Sequence, residues 1–151
     1  MENKRLTIQE MLPGAWELVS YQVMDSRGNV TYPLGADATG MAIFLAEGFM
    51  SVQIMSSGRP LYAGGDIHQG PDNAMIAAAK GYLAYSGSYQ IFEDQGMVEQ
   101  QMEVSLNPNW AGDNQPRYIQ FLDERLIINS QPVFIHGQEQ NTKLIWKRAE
   151  S

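Results

Sequence analysis

Gly40-Met41-Ala42-Ile43-Phe44-Leu45-Ala46-Glu47-Gly48-Phe49-Met50-Ser51-Val52-Gln53-Ile54-Met55 is two apolar, β-rich runs separated by an acidic residue and a glycine. It reads as a hairpin of residues 40–46 and 49–55 joined by a two-residue Glu47-Gly48 turn. In the second run Met50, Val52 and Ile54 alternate with Ser51 and Gln53, so one face is apolar and the other polar.

The same pattern continues on both sides. β-rich runs cover residues 16–24, 87–92, 97–106, 117–122, 126–129 and 142–147, with a stub at 30–32 that stops at Pro33. Asp25-Ser26-Arg27-Gly28-Asn29, Asp94-Gln95-Gly96 and Asp123-Glu124 supply turns between them. Eight main strands plus a stub suit a small closed barrel, because closure removes exposed strand edges. One segment departs from this pattern. Residues 72–85 place Met75, Ala79, Tyr82 and Leu83 at helical spacing, and Ala77-Ala78-Ala79 favours helix. The expected helix starts at Gly70-Pro71-Asp72, with Asp72 as N-cap, and lies between the third and fourth strands. Residues 6–12 form a second, short helix ahead of the first strand.

The 151 residues suit one domain spanning 1–151. The 17 acidic and 10 basic side chains give a net charge of −7, which argues against nucleic-acid binding and against docking on anionic lipid. No cysteine is present, so disulfides, thiolate metal sites and cysteine nucleophiles are excluded together. The segment before the first strand is too interrupted by polar residues for a secretory signal, and the expected location is cytoplasmic.

Gly14-Ala15-Trp16 opens the first strand, and Leu144-Ile145-Trp146-Lys147-Arg148 closes the last. Gly-x-Trp after a short helix resembles the opening of the lipocalin and fatty-acid-binding superfamily. The middle of the chain is more specific. Tyr32-Pro33-Leu34-Gly35, Asp37-Ala38-Thr39-Gly40, Gly48-Phe49-Met50-Ser51-Val52-Gln53, Lys80-Gly81-Tyr82, Tyr85-Ser86-Gly87 and Ser105-Leu106-Asn107-Pro108-Asn109-Trp110 follow in order. Together they resemble the bacterial and fungal lipocalin-like domain family over nearly the whole chain. The resemblance implies an all-β fold: an eight-stranded antiparallel calycin-type barrel with one α-helix inserted after the third strand and a short N-terminal helix. It also implies that Trp16 plugs the barrel end that Gly14 enters, with Arg148 packed over the indole. It implies no catalytic residue set. Gln100 and Gln101 stand where the family pattern leads one to expect histidine, which puts proton transfer there in doubt.

Alternation then assigns faces. With Trp16 inward, Leu18, Ser20, Gln22 and Met24 follow it. In the fifth strand Met102, Val104 and Leu106 form the apolar face, opposite Glu99, Gln101, Glu103 and Ser105. Glu103 and Arg117 flank the 107–116 connection and are expected to face each other, as an exposed ion pair or, inside the barrel, as an anchor for a polar ligand group. Nine methionines, six of them in strands, suit an adaptable wall as well as ordinary core. Trp110 could cap a barrel mouth, pack outside or sit at a subunit contact. The candidate ligand-binding set is Gln22, Met24, Met50, Val52, Ile54, Tyr89, Met102, Glu103, Trp110 and Arg117.

His68 and His136 fall in expected loops without metal-ligand spacing, and no serine lies in a nucleophile elbow, so neither a metal nor another cofactor is expected. The leading functional expectation is a binding module for a small apolar molecule, in a cavity of several hundred Å3 with few polar groups. The alternative is a cofactor-free isomerase or cyclase for an apolar, polyketide-like substrate, using Tyr89, Arg117 or Glu103. A structural or self-associating barrel with no ligand, a homodimer with Trp110 and Tyr62 exposed on one patch, is the third reading.

Overall fold

The computed structural model describes residues 6–135 and 137–150. The loop position expected for His136 lies outside them. Along the chain run α1 (Ile8–Met11), β1 (Gly14–Met24), β2 (Val30–Thr31), β3 (Thr39–Phe44), β4 (Phe49–Met55) and α2 (Asp72–Lys80). They are followed by β5 (Tyr82–Phe92), β6 (Met97–Ser105), β7 (Asn114–Leu122), β8 (Arg125–Ser130), β9 (Val133–Ile135) and β10 (Gln138–Arg148). Neighbouring strands pair antiparallel in the order β1-β3-β4-β5-β6-β7-β8-β10, and β1 pairs back to β10. The result is a closed eight-stranded barrel. β2 extends β1 and β9 extends β10 as short additions outside the ring.

The β3–β4 hairpin pairs Phe44 with Met50. Leu45 N–H then bonds to the Phe49 carbonyl at 2.8 Å, which leaves Ala46-Glu47-Gly48 as a three-residue loop rather than the expected two-residue turn. Gly48 takes φ 99°, the positive-φ position that such a loop requires.

α2 is shorter than its apolar pattern suggests. Gly81 ends it, donating to the Ala77 carbonyl at 3.0 Å. Tyr82 and Leu83, expected on the helical face, instead open β5, where residues 82–88 pair with β4. Cross-strand pairing with an existing edge outweighs one more helical turn here. Pro71 takes the N-cap position and Asp72 the first turn, where its charge complements the helix dipole. Only Ala74 of α2 is buried, and Met75 remains 38 % exposed.

Two bulges set which residues enter the barrel. In β1 the pairing with β10 shifts between Leu18 and Ser20, leaving Val19 as the extra residue. Beyond it the alternation inverts: Val23 is buried, whereas Met24 is 45 % exposed. Gln22 is turned to the outer face, where its amide donates to Ser20 Oγ at 2.9 Å. In β6 the pairing with β5 shifts between Ser86 and Gly87, and Glu103 is the extra residue. Val104 is consequently 64 % exposed, and the inward phase expected for Val104 and Leu106 passes to Ser105. Gly87 permits this crossing, because a Cβ there would lie 1.8 Å from the Gln101 carbonyl oxygen.

The core fills one end of the barrel. Trp16, Trp146, Phe44, Leu126, Val98, Met50, Val52, Ile54 and Met102 are buried together, with Ile8 and Leu12 of the α1 segment laid over them. Trp16 Nε1 donates to the Leu12 carbonyl at 2.9 Å. Arg148 stacks its guanidinium 3.8 Å from the Trp16 ring centroid and donates to the Pro13 and Met11 carbonyls at 2.8 and 2.5 Å. Gly14, at φ 132°, leaves the space that this arginine occupies, since a Cβ would stand 2.7 Å from its Nη1.

Candidate functional site

The opposite end of the barrel is not filled. The second half of β1, the start of β5, the first half of β7, the end of β8 and the middle of β10 surround a cavity of about 560 Å3. Tyr21, Tyr85, Leu83 and Leu144 form its walls, with Arg117, Gln115, Ser130 and Thr142 between them. The short 3-10 turn Pro108–Trp110 brings Asn109 and Trp110 to the rim, and residues 131–135 close the other side. Trp110 meets the Tyr85 ring edge-on, at a centroid separation of 5.8 Å.

Arg117 is the dominant charge. It is 7 % exposed, and it pairs across the sheet with Val98 of β6 and Ser130 of β8. Its Nη2 donates to Gln115 Oε1 at 2.5 Å and its Nη1 to the Pro116 carbonyl at 3.1 Å. Both acceptors are neutral. Among the described residues no carboxylate lies within ion-pairing distance of it, the one ion pair found being Lys147 with Glu17. Gln115 also donates its amide to Asp113 Oδ2 at 3.3 Å, and Asp113 sits in solvent at the rim.

The two phenols beside Arg117 stay protonated across the neutral range. Burial pushes Tyr21 up to about 12, helped by the neighbouring Tyr85 and opposed by the Arg117 charge. Burial raises Tyr85 as well, against the pull of Arg117. Each phenol is therefore available as a neutral hydrogen-bond donor. Deeper in the barrel Gln100 is 1 % exposed, and its Oε1 has no hydrogen-bond partner among the described residues.

The residues singled out in the sequence divide into three groups. Arg117 and Trp110 line the cavity. Met50, Val52, Ile54 and Met102 face inward but belong to the packed core. Tyr89 also faces inward at the filled end, edge-on to Phe44 at 5.5 Å, with its hydroxyl donating to the Leu45 carbonyl at 2.5 Å. Gln22, Met24 and Glu103 lie on the outside, displaced by the two bulges. Glu103 and Arg117 are not cross-strand partners, because Glu103 is the unpaired bulge residue and Arg117 faces Val98. Of the three groups named for isomerase or cyclase chemistry, only Arg117 lines the cavity.

Tyr21, Tyr85 and Gln115 are cavity residues that sequence reading passed over. Tyr21 was one residue out of phase beyond the Val19 bulge. Tyr85 fell within the expected helix, and Gln115 in the expected loop before residue 117. Apolar surface makes up the larger part of the cavity wall, and arginine, amides and hydroxyls share it with the aromatic rings. Among the described residues no three His, Cys, Asp or Glu side chains converge as a metal would require, and no helix is long and apolar enough to cross a membrane.

The family described as lipocalin-like domain matches residues 13–149. The 4'-hydroxy-3'-methoxypropiophenone carrier protein ppsC of Aspergillus oryzae (strain ATCC 42149 / RIB 40) is 32 % identical over 107 residues. That alignment covers 66 % of this chain and 96 % of the relative. No solved structure matches.

Proposed function

The chain belongs to the lipocalin-like domain family, and on that premise we propose that it binds and carries a small aromatic molecule in the open end of its barrel. The observation that carries this reading is the cavity of about 560 Å3 walled by Tyr21, Tyr85 and Trp110. Its size lies inside the range of roughly 300–1,000 Å3 typical of small-molecule sites. The ring faces suit a planar ligand body, and the amides, hydroxyls and Arg117 suit a polar edge. A likeness to a carrier of an aryl ketone supports the same ligand shape. The cysteine-free chain accords with a cytoplasmic location, which is part of the proposal.

Titration with 4'-hydroxy-3'-methoxypropiophenone, followed by tryptophan fluorescence and by native mass spectrometry, tests it. A saturable, one-to-one complex is expected. If neither this compound nor other one- and two-ring aryl compounds bind at millimolar concentration, the carrier reading is wrong.

A further inference from the structure

Arg117 has a feature that binding of a neutral molecule leaves unexplained. It is a cation with 7 % exposure, and the acceptors around it, Gln115 Oε1, the Pro116 carbonyl and the Tyr85 hydroxyl, carry no charge. Buried charges ordinarily persist beside an opposite charge, because the cost of desolvation is otherwise unrecovered. Among the described residues the one acidic side chain in the cavity lining is Asp113, which reaches Arg117 through Gln115 and stands in solvent at the rim. A guanidinium has five N–H donors; Gln115 Oε1 and the Pro116 carbonyl take two bonds, and the neutral Tyr85 hydroxyl stands within reach of another. The remaining donors belong to a group that lines the cavity beside two phenols and an indole.

We propose that the cavity takes an organic anion, an arene bearing a carboxylate or an acidic phenolate, whose charge pairs with Arg117 while its ring lies against Tyr85 and Trp110. This deepens the carrier reading and rests on it. The carboxylate and the phenolate share one recognition chemistry: a planar, delocalised oxyanion that accepts from the guanidinium fork. Tyr21 and Tyr85 add neutral donors to the same oxygens. Gln115 holds Nη2, so the fork is oriented before the ligand arrives, and the Asp113 contact in turn holds Gln115.

Two probe pairs that differ in charge and little in shape decide the matter. One is trans-cinnamate with methyl cinnamate; the other is 4-hydroxybenzaldehyde with 4-methoxybenzaldehyde. Calorimetry at about pH 9 keeps both acids ionised and lies below the range in which Tyr21 ionises. The ionised member of at least one pair is expected to bind about tenfold or more tightly than its neutral partner, as charge-assisted bonds allow. Which pair shows the preference separates carboxylate from phenolate. Arg117→Gln is expected to abolish the preference between the members of each pair, whereas Arg117→Lys retains part of it. Circular dichroism establishes that each variant is folded, and the wild-type probe pairs decide the question if Arg117→Gln does not fold. Neutral members binding as well as the anions in both pairs would overturn the anion assignment and leave the carrier reading standing. Failure of all four probes to bind would overturn both.

Discussion

Trp110 stands edge-on to Tyr85 across the rim of the cavity, with ring centroids 5.8 Å apart and an interplanar angle of 67°. The contact joins a connection between β6 and β7 to the wall formed by β5. It places the indole where an occupant of the cavity would change its surroundings. Such aromatic pairs contribute about 0.5–1.5 kcal/mol beyond their buried area. Trp110→Ala is therefore expected to lower stability by about 1 kcal/mol, and loss of a comparable ring contact to the ligand is expected to weaken binding of an aryl probe about three- to tenfold. Fluorescence of the variant adds a second check, since quenching by the probe should fall sharply when this indole is absent.

Arg148 holds the filled end by a different device. It combines a cation–π contact to Trp16 with two charge-assisted bonds to the carbonyls of Pro13 and Met11. Arg148→Met keeps much of the side-chain volume and removes all three interactions. A loss of about 1–2 kcal/mol in urea unfolding is expected, with probe binding at the opposite end unchanged. A variant as stable as the parent would show that α1 and Trp16 seal the barrel without this arginine.

Gly87 tests the bulge that turns Glu103 outward. The 1.8 Å approach of a Cβ to the Gln101 carbonyl oxygen involves backbone on both sides, so no rotamer change relieves it. Gly87→Ala is expected to cost about 3 kcal/mol, near the upper end for overpacking, or to shift the β5–β6 register. Thermal unfolding measures the first outcome, and amide exchange along β6 detects the second.

The sequence spoke most clearly where alternation was uninterrupted. β3, β4 and β8 follow from their apolar runs, and the packing of Arg148 over Trp16 follows from the resemblance to the lipocalin-like family. Alternation fails at a bulge because one inserted residue exchanges the two faces. Val19 moved Gln22 and Met24 outward and brought in Tyr21, and Glu103 did the same to Val104 and Ser105. The glycine at 87 is the local sign of the second bulge, but its meaning depends on how closely the Gln101 backbone approaches it. Pro116 hid the start of β7, since proline weakens any strand signal. The alanine run before Gly81 likewise concealed the start of β5 at Tyr82. Arg117 was legible as a notable charge; its burial without a carboxylate was not, because that depends on which residue faces it across the sheet.

Tyr21 links stability to pH. Its folded pKa, raised by burial to about 12, lies above the ordinary value of 10.0. Below pH 10 both folded and unfolded chains hold the proton, and the stabilisation is fully present. As pH rises from 10 towards 12 the unfolded chain releases its proton first, so stability falls, by about 2–3 kcal/mol in total from this group. Tyr85 is shifted in the same direction and adds to the loss. Urea unfolding at successive alkaline pH values should show the decline, and Tyr21→Phe should flatten it. Absorbance of the phenolate should show three tyrosines that ionise late, since burial raises Tyr89 as well.

The central claim is that the open end of the barrel is the binding site, and amide and indole NMR shifts during titration with an aryl probe test it most directly. Saturable shifts at Tyr21, Tyr85, Trp110, Gln115 and Arg117 are predicted, while Met41, Ile43 and Phe49 on the outer surface stay still. Shifts confined to that outer surface, or none at saturating probe, would contradict it.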